Sequence, residues 1–184
     1  VRYHKVTAME TGDFDGDGQK EIAVAPVAGF IQPIKIYGRD GLEKRTGFFP
    51  FGPKYNGGMS LAIVEFGRGR SGELVVGAGR GIKPSVRIYD SSFKLVKEWL
   101  VFEPEFRGGV NVAVGDIDSN GNNEVIIGPG SGKKPLVKIF SRNGQEKYMA
   151  FTAYSSFNAS GIDVRVADVD FDGKNDIVTL SEGL

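Results

Sequence analysis

The chain repeats itself about every 52 residues. Asp13, Glu65, Asp116 and Asp168 follow one another at intervals of 52, 51 and 52 residues, and a second acidic series, Glu21, Glu73, Glu124 and Asp176, keeps the same beat. Pro33, Pro84 and Pro135 precede "IKIY", "SVRIY" and "LVKIF", while Gly58, Gly109 and Gly161 precede the next strand-like run. Four landmarks in phase restrict the chain to an architecture in which like units pack on their neighbours.

Each unit reads as strand, acidic loop, strand, Gly/Pro loop, strand, turn and strand. In the third unit these are "VNVAV" (110–114), the loop 116–124, "VIIG" (125–128), "PGSGKKP" (129–135), "LVKIF" (136–140), "SRNG" (141–144) and "EKYMAF" (146–151). Short β-branched and aromatic runs separated by Gly, Asn, Asp and Pro predict an antiparallel meander. The 27 glycines, about twice the usual share, suit the many tight turns this requires. The expectation is an all-β chain, a β-propeller segment of four-stranded antiparallel blades, because a unit of this length with four strands is the propeller period. The repeats fall at 6–57, 58–108, 109–160 and 161–184, a single domain of about 3.5 units whose last is half a blade. Closed propellers have about four to eight blades. The chain is therefore expected to be a fragment, or to self-associate through its half-blade ends.

The acidic loops carry the chemistry. "DFDGDGQKE" (13–21) sets Asp13, Asp15 and Asp17 at positions 1, 3 and 5, and Gly16 and Gly18 allow the backbone to curl so that the carboxylates converge. Position 7, Gln19, offers a backbone carbonyl and position 9, Glu21, a further carboxylate. Left bare, such a cluster repels itself; five or six oxygens around one point suit Ca²⁺, a hard cation with oxygen ligands. "DIDSNGNNE" (116–124) offers Asp116, Asp118, Asn120, the Asn122 carbonyl and Glu124, and "DVDFDGKND" (168–176) offers Asp168, Asp170, Asp172, the Lys174 carbonyl and Asp176. The second loop, "EFGRGRSGE" (65–73), has Gly67 and Gly69 at positions 3 and 5 and is predicted to bind no calcium, with Arg68 or Arg70 as the cation for Glu65 or Glu73. About three calcium ions are expected. An EF-hand is excluded, because position 12 is Val24, Ile127 or Thr179 instead of the bidentate Glu and the flanks are β-like.

With these loops, and with "VAVGDIDSNGNNEVIIGPG" (112–130), "GIKPSVRIYD" (81–90) and "FRGGVNVAV" (106–114), essentially the whole chain resembles the FG-GAP or VCBS repeats of integrin α-subunit propellers and bacterial surface proteins. The bacterial branch often has a His after the proline; Ile34, Ser85 and Leu136 stand there, so no role of that His carries over. The resemblance implies calcium loops that join the first two strands of a blade and stiffen it, an extracellular or cell-surface setting, and protein or glycan ligands.

Other chemistry finds little support. His4 is the single histidine, which leaves a Ser-His-Asp triad only a residue near the N-terminus. The conspicuous carboxylate pairs belong to the loops, where a coordinated carboxylate is a poor proton donor. With 23 basic and 23 acidic residues there is no global field to recruit nucleic acid, and no apolar run reaches the eighteen or so residues of a membrane span, so neither nucleic acid nor membrane insertion is expected. The absence of cysteine excludes disulfides and thiolate metal sites. "GRGIKP" (79–84) and "GSGKKP" (130–135) lack the P-loop order and read as hairpin loops. The periodic aromatics Phe48, Phe49 and Phe51, Phe102 and Phe106, and Phe151, Tyr154 and Phe157 read as packing between blades. Trp99, grouped with them, has no aromatic counterpart at its phase and is the one to expect on the surface if an aromatic serves recognition. The chain is read as a non-enzymatic calcium-binding module for recognition or adhesion; the alternative is part of a calcium-dependent, lyase-like polysaccharide-active enzyme.

Overall fold

The apolar runs in the second strand of each unit are too short for a helix and too continuous for a strand with one wet face. They belong in a strand covered on both sides, and the computed structural model of the chain gives that place to the second strands of the first three units. It describes residues 6–64, 71–155 and 159–181. Three antiparallel four-stranded meanders follow one another: β1 (Val6–Gly12) to β4 (Glu43–Phe48) with β2 (Glu21–Pro26) and β3 (Ile34–Tyr37) between; β5 (Met59–Val64), β6 (Glu73–Ala78), β7 (Ser85–Tyr89) and β8 (Leu95–Leu100); and β9 (Val110–Gly115), β10 (Glu124–Pro129), β11 (Leu136–Phe140) and β12 (Phe151–Thr152). A two-stranded sheet of β13 (Ile162–Ala167) and β14 (Asp176–Ser181) completes the series. Each sheet lies inside one sequence repeat, and no helix occurs among the described residues.

Period-two alternation explains the double burial. In β6, Leu74 and Val76 face the core between the first two sheets while Val75 faces the core between the second and third. In β10, Val125 and Ile127 face that second core and Ile126 faces the third, with Ile162 and Val164 of β13. All of these side chains are fully buried. The first strands stand side by side, β1 against β5, β5 against β9 and β9 against β13. Together they line one cavity of about 520 Å³.

Close approach between sheets depends on small residues in the second strands. A Cβ on Gly77 would lie 2.7 Å from the Val110 carbonyl oxygen, and one on Gly128 would lie 2.7 Å from that of Ile162. At the same phase, Ser60 Oγ donates to the Val110 carbonyl at 2.7 Å and Asn111 Nδ2 to that of Ile162 at 2.8 Å. Backbone bonds tie each Gly-rich loop to the connector that leads into the next unit: Gly29, Gly81 and Gly132 donate to the carbonyls of Asn56, Arg107 and Ala159 at 2.7, 3.0 and 2.7 Å. The "GRGIKP" and "GSGKKP" loops therefore spend a glycine N–H on neighbouring main chain, as hairpin loops do.

Two expectations are corrected. The fourth strand of the third unit does not run through residues 146–151: Glu146 forms one bridge with Phe140, and the ladder resumes only at β12. The interruption coincides with Lys147 and Tyr148 turning their side chains onto the acidic loop 116–124. Trp99 is half-buried instead of displayed, its ring 6.0 Å from that of Phe140 and against Gly144 of the next sheet's turn. Among the other aromatics, Phe102 and Phe106 pack between the second and third sheets, whereas Phe49 and Phe151 are exposed; Phe157 and His4 lie outside the described residues.

Candidate metal centres

The three acidic loops share one hydrogen-bond pattern. Position 6 donates its N–H to the position 1 carboxylate: Gly18 to Asp13, Gly121 to Asp116 and Gly173 to Asp168, at 2.9, 2.7 and 3.0 Å. Position 5 donates to position 3, Asp17 to Asp15, Asn120 to Asp118 and Asp172 to Asp170, at 3.2, 3.3 and 3.2 Å. Position 7 donates to position 5, Gln19 to Asp17, Asn122 to Asn120 and Lys174 to Asp172, each at 2.8 Å. Position 2 closes the loop on position 9, Phe14 to Glu21, Ile117 to Glu124 and Val169 to Asp176, at 2.9, 3.2 and 3.1 Å.

This pattern requires a left-handed backbone at two positions. Gly18, Gly121 and Gly173 at position 6 have φ of 82, 85 and 86°, and position 4 has φ of 80, 58 and 61° at Gly16, Ser119 and Phe171. A non-glycine residue there costs roughly 1–2 kcal/mol. The conformation nevertheless persists with Phe171, whose side chain is 89% exposed and gains nothing by packing. The four bonds of the loop hold it there.

So curled, the loops converge their oxygens. One oxygen each from Asp13, Asp15 and Asp17, from Asp116, Asp118 and Glu124, and from Asp168, Asp170 and Asp176 lie within 4.8 Å of one another. Ligands 2.3–2.6 Å from a shared Ca²⁺ span no more than about that distance. Asp168 supplies a further sign of fit: one of its oxygens accepts from Gly173, and the other is buried with no hydrogen-bond partner. Within loop four, Asp172 stands outside the converging triad and braces Lys174.

Lysines that the sequence reading did not single out meet two of the loops. Lys44 Nζ lies 2.8, 3.0 and 3.0 Å from carboxylate oxygens of Glu21, Asp15 and Asp17. Lys147 Nζ lies 2.7 Å from Glu124 and 2.9 Å from Asp118, which also accepts the Tyr148 hydroxyl at 2.6 Å. The Tyr148 hydroxyl first, and Lys147 second, hold the Asp118 carboxyl down to about 2. Bonds to Glu21, and then to Asp17 and Asp15, hold the Lys44 ammonium above its ordinary range. The detectable signal was again the phase, since Lys44 and Lys147 both stand 31 residues after the first Asp of their loop.

In the second unit, Glu73 is buried and takes a bidentate fork from Arg142, Nε to Oε2 at 2.7 Å and Nη2 to Oε1. The turn of the next unit thus supplies a cation to Glu73; Glu65, Arg68 and Arg70, on which the expectation of a cation from Arg68 or Arg70 falls, lie outside the described residues. Neighbouring loops also touch. Gly72, at position 8 of the second, donates to the Asp13 carbonyl at 3.1 Å, and Asn175, at position 8 of the fourth, donates through Nδ2 to the Asp116 carbonyl at 3.0 Å.

No protein-family model matches the chain, and no curated protein matches it in sequence. Its fold is shared with a solved structure, the exotype rhamnogalacturonan lyase YesX, at a TM-score of 0.62 and 14% identity. The match covers 96% of this chain and 39% of that one, so the chain spans well under half the length of this structural relative.

Proposed function

We propose that the chain is a run of β-propeller blades of FG-GAP or VCBS type, in which Ca²⁺ bound by the acidic loops stiffens a non-enzymatic module for recognising a protein or glycan outside the cell. The observation that carries this reading is the one loop, with the same four hydrogen bonds and converging carboxylates, built at three phases of the repeat. The ion would be held by Asp13, Asp15, Asp17 and Glu21, by Asp116, Asp118, Asn120 and Glu124, and by Asp168, Asp170 and Asp176, with the carbonyls of Gln19, Asn122 and Lys174 completing the shells. Calcium supplies charge neutralisation and crosslinking of each loop, and because it favours the folded state it raises stability.

The fold shared with a rhamnogalacturonan lyase favours a second reading, in which the chain is part of a calcium-dependent polysaccharide-active enzyme. Incubation with rhamnogalacturonan separates the two: fragments released in calcium and not in EGTA would support the enzyme, and an unchanged polymer would support the module. The metal reading is tested by thermal melts in millimolar calcium and in excess EGTA, alongside calorimetry. About three ions per chain and a higher melting temperature in calcium are expected. Asp170→Asn keeps an oxygen for the Asp172 N–H while removing a charge. It is therefore expected to lose one ion and part of the calcium-dependent rise but to melt like the parent in EGTA; an equal loss in both would mean that Asp170 serves only the turn.

A further inference from the structure

The side chain that reaches loops one and three comes from a fixed place in the fold. In the first sheet Ile36 pairs with Arg45 and Tyr37 with Glu43, so Lys44 is the extra residue of a bulge. In the second sheet Ile88 pairs with Lys97 and Tyr89 with Leu95, which leaves Val96 as the extra residue. In the third, Phe140 bridges Glu146 and Ile139 accepts from the Lys147 N–H at 2.9 Å, so Lys147 follows the same step. A bulge re-aims the side chain it carries, here toward the loop between the first two strands. The residue at that step is lysine where the loop is acidic and valine in the second unit, whose loop has glycines at positions 3 and 5.

We infer that Lys44 and Lys147 are tethered counter-cations, which hold loops one and three in their folded shape without metal and compete with a divalent ion for the same carboxylates. The Lys44 ammonium has three N–H donors and spends them on the residues at positions 3, 5 and 9. Lys147 engages positions 3 and 9, and Tyr148 adds a neutral donor at position 3. Among the described residues, no ammonium or guanidinium makes an ion pair with Asp168, Asp170, Asp172 or Asp176. The buried Asp168 oxygen without a partner belongs to this same loop. In loops one and three calcium therefore enters by displacing lysine. The inference rests on the metal reading above and adds the residues that oppose filling of these two loops.

Calorimetric titration with CaCl₂ tests it on the parent chain, Asp170→Asn, Lys44→Met, Lys147→Met and Lys44→Arg. Asp170→Asn should lose one site and leave the two lysine-held ones as in the parent. Each Lys→Met should strengthen the site of its own loop by about tenfold, the scale set by losing a charge-assisted hydrogen-bonded competitor, while Lys44→Arg keeps the charge and should resemble the parent. In EGTA, Lys44→Met should melt below the parent, and the gap should close in millimolar calcium. Titrations of both Met variants that superimpose on the parent, with calcium still bound, would overturn the tethered-cation inference and leave the metal sites standing. Calcium bound by none of the chains would overturn the metal reading and this inference together.

Discussion

Position 6 of the acidic loop shows how one backbone angle governs a site. Nothing lies within 4 Å of a Cβ placed on Gly18, Gly121 or Gly173, so substitution there meets open space and only the φ of the backbone opposes it. Gly121→Ala is expected to cost about 1 kcal/mol, or roughly 2–4 °C in melting temperature for a chain of this size, in calcium and in EGTA alike. A loss confined to calcium would mean that the apo loop has already left this conformation. The alternating Asp and Gly of these loops were legible because the bonds that shape them run between residues two to seven apart. Lys44 and Arg142 were not, because Lys44 meets Glu21 across 23 residues and Arg142 meets Glu73 across 69. Such partners become visible only once register and turn place them.

At the scale of elements, the second strands of the second and third units each lie between two cores, and the small residue in each sets how near the next sheet can come. Gly77→Ala would drive a methyl against the Val110 carbonyl and against Ser60 Oγ, which donates to that same oxygen. Overpacking of this kind costs about 1–3 kcal/mol. The expected result is a lower denaturant midpoint for Gly77→Ala with an unchanged slope, whereas Ala25, at the same phase of the first unit, already carries that methyl and its exchange for glycine should cost less. Strand order, loop positions and repeat boundaries could be read from phase alone, since four units report the same pattern. The broken fourth strand of the third unit could not, because "EKYMAF" has the composition of a strand while its lysine and tyrosine are drawn to a loop some thirty residues earlier.

For the molecule as a whole, the sheets follow one another around a cavity lined by their first strands, and the fourth leaves apolar side chains uncovered. Leu180 on β14 is 64% exposed, Val178 is 38% exposed, and β14 has β13 as its one partner strand among the described residues. A second copy seated on this face would give a sedimentation coefficient that rises with concentration and falls back in Leu180→Lys; a monomer at every concentration would dismiss that association. Leu180 has a further consequence. By register it sits opposite Asp163 as Gly77 sits opposite Ser60 and Gly128 opposite Asn111, so the fourth sheet carries a bulky residue in the slot of the glycine and an acceptor in place of the donor. The rule by which one sheet seats the next is thus written out in the second and third units and revoked in the fourth. Whatever meets this face therefore meets a branched apolar side chain where the second and third sheets present bare main chain.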